Sequence, residues 1–192
     1  MKALKEYIYE GLLDRVKNKE VNHKIFIEEF LETNYKINGS YTIKETKNKF
    51  IVDVKGDIVV KNVNITTLTN EFFEFGKVSK DFDCNYCGSL TSFEGAPKAV
   101  GGGFICHSCN SLKSLEGAPE KVGVVFNCGW CDSLTSLEGA PKEVGGDFEC
   151  SYCELTSLEG APKKVGKTFW SIKNKFSIED IKKVVKVKQI EI

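Results

Sequence analysis

The chain has 192 residues, 41% of them hydrophobic, with 27 Lys and Arg against 27 Asp and Glu. That length suits one ordinary domain or one short solenoid, and that apolar content excludes wholesale disorder. Balanced charge without a basic block leaves no electrostatic footprint for nucleic acid, and the apolar runs are too short to cross a bilayer.

The opening stretch, "MKALKEYIYEGLLDR", is charged throughout and lacks the apolar region of a secretory signal. It implies a reducing, cytoplasmic compartment, where the eight cysteines are expected as thiols or metal ligands rather than disulfides. Leu4, Ile8, Leu12 and Val16 recur at four-residue spacing and predict a helix over 3–17. A second helix is predicted over 22–34, with Asn22 as N-cap and Ile27, Phe30 and Leu31 on its apolar face. These helices make up an N-terminal segment, 1–36.

Residues 37–80 read as strands, with Phe50, Val52 and Val54 alternating and Lys55-Gly56-Asp57 as a turn. This β region, ending in "EFFEFG", is expected to close one end of a repeat array and to contain a degenerate first coil.

From residue 81 to 176 the chain repeats. "CNYC", "CHSC", "CGWC" and "CSYC" begin at Cys84, Cys106, Cys128 and Cys150, 22 residues apart each time. The shared frame is F-x-C-x-x-C-(x)-x-L-x-S-L-E-G-A-P-x-x-V, and the last unit lacks one residue after its second cysteine. A unit this short cannot bury its own apolar face, so neighbours must stack. Phe and the first Cys alternate with variable positions as in a strand, and Gly-Ala-Pro turns the chain back. The expected fold is α+β: a short solenoid of parallel strands, one per ~22-residue coil. A helical and β cap stands before it, and an amphipathic helix over 177–192 closes it. Ser177 and Asp180 approximate a capping box there, and Ile178, Ile181, Val184 and Val185 form a stripe.

The frame resembles the leucine-rich repeat, with Val100, Phe104, Cys106, Cys109 and Leu112 on its successive core positions. Phrases such as "LTSLEGAPKEVGGDF" are similar to short repeats of bacterial effector proteins, and more so to repeat proteins of large tailed phages. The resemblance covers residues 57–176 and departs from the family by placing Cys or Phe where Leu is usual. It implies a protein-binding solenoid. Separately, "MKALKEYIYE" resembles the capsid-targeting sequence of internal head proteins of large myophages, whose cleavage site Ile8-Tyr9-Glu10 would match. That resemblance implies a packaged head protein cut after Glu10. The cytoplasm of an infected bacterium is the implied location, with the virion as alternative.

The cysteine columns admit two readings. As a pattern, Cys84, Cys87, Cys106, Cys109, Cys128, Cys131, Cys150 and Cys153 have zinc-ligand spacing, which would make a structural or regulatory zinc module. The degenerate end units favour packing. Aligning Phe169 with Phe148 puts Ser171 and Asn174 at the two cysteine positions; aligning Ile58 there puts Val60 and Val63 at them. Valine does not replace a ligand, whereas buried Cys behaves as a small hydrophobe. No metal or cofactor is therefore expected.

Between the core positions, three columns point outward. They hold Asp83, Ile105, Asn127, Glu149 and Trp170; then Asn85, His107, Gly129, Ser151 and Ile172; then Tyr86, Ser108, Trp130, Tyr152 and Lys173. The units differ mainly at these columns. Tyr86, Ile105, His107, Trp130, Tyr152 and Trp170 are the candidate partner-binding residues, because aromatics dominate binding hot spots. The competing reading is that the rings only shield the sheet by cross-strand pairing. Glu94, Glu116, Glu138 and Glu159 read as a solvated edge. No phosphate loop, G-x-S-x-G or H-E-x-x-H occurs, so catalysis is not expected.

Overall fold

A computed structural model describes residues 23–60, 63–69 and 71–192. The helix expected over 3–17, the Ile8-Tyr9-Glu10 motif and the N-cap at Asn22 lie outside the described residues. The chain forms a parallel-strand β-solenoid of about six turns with two short helices, so it is mostly sheet rather than evenly α+β.

Helix α1 (His23–Asn34) buries Phe26, Ile27, Phe30 and Leu31. Phe30 meets Phe73 edge-on at 5.6 Å, and Tyr35 meets Phe75 at 5.2 Å. Strands β1 (Tyr35–Glu45) and β2 (Phe50–Val60) pair antiparallel. Their turn lies at residues 46–49, where Thr46 N–H donates to Lys49 O at 3.0 Å.

Lys55-Gly56-Asp57 is therefore not a turn, as the glycine suggested, but the middle of β2. Gly56 stands opposite Gly39, with φ +149° and +146°. A Cβ on either would overlap backbone of the other strand. The glycine pair bends the ribbon, and that bend decides the architecture. The first half of β2 pairs parallel with β3 (Phe73–Val78), and its second half with β4 (Phe82–Asp83). One bent strand thus heads two columns. We expect Gly56→Ala to destabilise the fold by about 2–3 kcal/mol through forced φ and overlap. Gly88→Ala, where nothing lies within 4 Å of an added Cβ, should leave the denaturant midpoint unchanged.

The first column continues through β5 (Ala99–Val100), β7 (Lys121–Val122), β9 (Glu143–Val144) and β11 (Lys164–Val165). The second continues through β6 (Phe104–Ile105), β8 (Val125–Asn127), β10 (Asp147–Glu149) and β12 (Thr168–Trp170). Each coil thus carries two short strands, not one. Gly101, Gly123, Gly145 and Gly166 form the corner between them; a Cβ there would overlap the carbonyl oxygen of the preceding coil. Because β2 joins both columns, residues 37–80 and 81–176 share one sheet.

Identical residues stack on identical residues. Phe82, Phe104, Phe126, Phe148 and Phe169 are fully buried, with successive centroids 5.1–5.5 Å apart. The return path turns at Leu-Glu-Gly-Ala: Ala118 N–H donates to Leu115 O at 3.0 Å, and Gly117 sits at φ +83°. This is a type II turn, which requires glycine at its third position. The four glutamates of the edge are exposed.

At the far end, helix α2 (Ile178–Val184) starts from Ser177, which forms a capping box with Asp180. The helix does not run to residue 192. Lys186 bridges Lys164, and β13 (Gln189–Glu191) pairs with β12, so both columns gain one more rung. Ile181 and Val185 are buried while Val184 is 41% exposed, because the chain turns extended at Val185.

Candidate functional site

The cysteines lie inside the coil. In the first position, Cys84, Cys106, Cys128 and Cys150 are fully buried, and Cys106 Sγ donates to Asn127 O at 3.0 Å. In the second position three of the four thiols reach back one coil. Cys109 donates to Cys84 O at 3.2 Å, Cys131 to Cys106 O at 3.4 Å, and Cys153 to Cys128 O at 3.2 Å. Asn174 Nδ2 makes the same bond to Cys150 O at 2.9 Å. Phe169 is in register with Phe148 and Ile58 with Phe82, and the buried Ser171 and Val60 occupy first positions. Val63, expected at a second position, is instead 46% exposed. That position therefore takes a donor, Cys or Asn. The amide of Asn174 also leaves Oδ1 without a partner, whereas a thiol brings no such acceptor.

Burial pushes Cys84, Cys106, Cys128 and Cys150 well above the ordinary thiol value. It pushes Cys87 up to about 12 and Cys153 up to about 11, and raises Cys131 likewise. Cys109 runs the other way: its bond with the Cys84 side chain lowers it, against the burial that raises it. All eight are unpaired, and among the described residues no three His, Cys, Asp or Glu side chains stand together as a metal site.

The outward columns are less uniform than the sequence implied. Several of their polar side chains are tied into the coil. Asp83 accepts from Asn85 N–H, Asn127 from Gly129 N–H, and Glu149 from Ser151 N–H, at 3.0, 3.0 and 2.8 Å. Asn85 Oδ1 accepts from His107 N–H of the next coil at 3.0 Å, and Ser151 Oγ from Ile172 N–H at 2.9 Å. The third column, Tyr86, Ser108, Trp130, Tyr152 and Lys173, holds every residue at φ between +56° and +67°. That left-handed turn throws its side chains outward: Tyr86 is 64%, Trp130 54% and Tyr152 37% exposed.

Trp130 stacks on Tyr152 with centroids 4.1 Å apart and planes 10° apart. Tyr86 meets His107 edge-on at 4.6 Å. His107, Trp130, Tyr152 and Trp170 line one groove of about 400 Å³. Asn127, Gly129, Glu149, Ser151 and Ile172 complete it. Of the remaining candidates, Tyr86 reaches the groove only through His107, and Ile105 lies in the strand column outside it. Sequence reasoning placed the added five residues on the face but gave them no role. The available signal was the dip at Gly129 in a column with His107 and Ile172 at larger positions.

A second, larger groove of about 870 Å³ runs along the first strand column. Lys77, Lys121, Glu143 and Lys164 flank it, and its floor is the corner glycines. Those glycines are required by close backbone stacking, and the flanking charges are mixed, so the aromatic groove is the better candidate site.

Compared with known proteins, the chain matches no protein-family model, no curated protein and no solved structure.

Proposed function

We propose that this protein is a non-enzymatic, protein-binding scaffold of the leucine-rich-repeat type, encoded by a tailed phage, that binds through its aromatic face. The observation that carries the reading is the presence of rings at left-handed backbone positions. A non-glycine residue there is disfavoured by about 1–2 kcal/mol, and Gly or Asn suits the site better. Ser108 and Lys173 adopt the same conformation without a ring, so the coil does not need one. Tyr86, Trp130 and Tyr152 are costly choices for the fold, and exposed aromatics are what binding surfaces use.

The family reading draws support from the second cysteine position. Its donors hydrogen-bond backbone where the leucine-rich repeat uses Asn or Cys. Two strands per coil are a departure from the one expected. The bent hairpin and the C-terminal helix with β13 act as the two caps in this reading. The phage assignment rests on the "SLEGAPKEVGGDF" resemblance, and the working location is the cytoplasm of the infected bacterium. Among the described residues no helix is long and apolar enough to cross a membrane.

The double variant Trp130→Asn, Tyr152→Asn tests the proposal. Asn is at home in the left-handed region, so the melting temperature should hold or rise. A protein captured by the wild-type chain from infected-cell extract should be lost by the variant. Undiminished capture by a folded variant would place the binding surface elsewhere.

A further inference from the structure

The aromatic groove has a shape and a charge that specify what enters it. Its middle is Gly129, and this glycine differs from those at the corners. It has no positive φ, and the nearest atom to an added Cβ would be Ser151 O at 3.2 Å. Its equivalents in neighbouring coils are His107, Ser151 and Ile172, so the coil accepts side chains at this place. The absent side chain leaves a basin. His107 bounds it at one end and Trp170 with Ile172 at the other, while the stacked Trp130–Tyr152 pair forms a side wall.

One carboxylate, Glu149, lies in this basin. Its Oε1 accepts from Ser151 N–H at 2.8 Å, and among the described residues its other oxygen has no hydrogen-bond partner. Asp132 and Glu154 stand exposed beside the neighbouring second cysteines. Across the three outward columns the only lysine is Lys173, in the last coil. The surface is thus anionic and aromatic together. A volume of about 400 Å³ accommodates one long side chain and is too small for a folded element.

We propose that the basin binds an arginine side chain of the partner protein, its guanidinium among the aromatic residues that line the basin and forked toward Glu149. The guanidinium is planar, permanently charged and weakly hydrated. It stacks on aromatic faces and pairs with carboxylate through two parallel N–H donors. Lysine offers a point charge and cannot fork to the carboxylate in the same way. This proposal rests on the protein-binding reading and names the residue that the partner presents.

Both tryptophans of the chain border the basin, so the two indole N–H resonances report on it directly. The full chain, uniformly ¹⁵N-labelled, would be titrated with N-acetyl-arginine amide and, separately, with the neutral isostere N-acetyl-citrulline amide. Arginine amide should shift the Trp130 indole saturably in the millimolar range, with citrulline amide about tenfold weaker. Glu149→Gln keeps the acceptor for Ser151 N–H and should weaken arginine amide by roughly fivefold or more. Gly129→Ile, patterned on Ile172, should fill the basin and abolish the shift with the melting temperature retained. Equal binding of citrulline amide, or an unchanged affinity in Glu149→Gln, would overturn the proposal. If Gly129→Ile does not fold, Glu149→Gln decides alone. The two readings also fail separately. Capture lost in Trp130→Asn, Tyr152→Asn but retained in Glu149→Gln leaves a protein-binding face whose partner presents no arginine here.

Discussion

Raising the pH from about 8 to about 10 under strong reductant is expected to unfold this protein, before most of its lysines lose their charge. The cause is the buried thiol array. Seven of the eight thiols, all but Cys109, are raised by burial, Cys153 to about 11 and Cys87 to about 12. In the unfolded chain a thiol titrates near 8.5. Between that value and the folded one, the folded state holds more protons than the unfolded state. Its stability therefore falls as pH rises, while below about pH 8 the contribution is fully present. Each raised thiol loses about 1 kcal/mol per pH unit in this window. Seven together lose about 7–14 kcal/mol over one or two units, comparable to the total of about 5–15 kcal/mol typical of a domain. Circular dichroism melts at closely spaced pH values measure the fall. Replacing Cys106 and Cys128 with Ser, as Ser171 already replaces cysteine in the last coil, should make it shallower. A melting temperature that is flat to pH 10 would mean that the thiols do not share the solenoid's fate.

The second large effect is expected at the phenylalanine stack. Phe126 is fully buried between Phe104 at 5.5 Å and Phe148 at 5.4 Å, with planes 6° apart on both sides. Phe126→Ala removes the ring and leaves a cavity that the neighbouring backbones cannot close, because each is hydrogen-bonded to the next coil. The expected loss is about 3–5 kcal/mol. Stability in a solenoid is close to a sum of coil and nearest-neighbour terms, so a central defect weakens two interfaces at once. Phe126→Leu keeps most of the volume and should cost less than about 1.5 kcal/mol. Denaturant melts of both variants provide the check. A loss under about 1 kcal/mol for Phe126→Ala would show that the column is not the core of the fold.

The degenerate end units show what each cysteine position accepts. The alignment of Phe169 with Phe148 appears as strand register, and Ser171 and Asn174 take the two cysteine places. The alignment of Ile58 holds through Val60 but fails at Val63, which is exposed. Substitution by valine therefore speaks only for the first position. At the second, the common property is a hydrogen-bond donor. A list of residue types alone does not separate that property from small size.

The sequence alone determined the period and the stacking register. Identical residues 22 apart reach their lowest energy when each lies on its own copy, and no other register buries every Phe, Cys and Leu. It also determined the α1 core face, the capping box at Ser177 and the exposed glutamate edge, which all follow from local chemistry. Tertiary structure decided the second strand column, the bend at Gly39 and Gly56, and the basin at Gly129. These all turn on glycine, which looks the same in sequence whether it makes a turn, permits a backbone contact or omits a side chain. Only the neighbours brought in from other coils distinguish the three. Lys55-Gly56-Asp57 was misread for that reason, and Glu149 became a site residue only once three coils surrounded it.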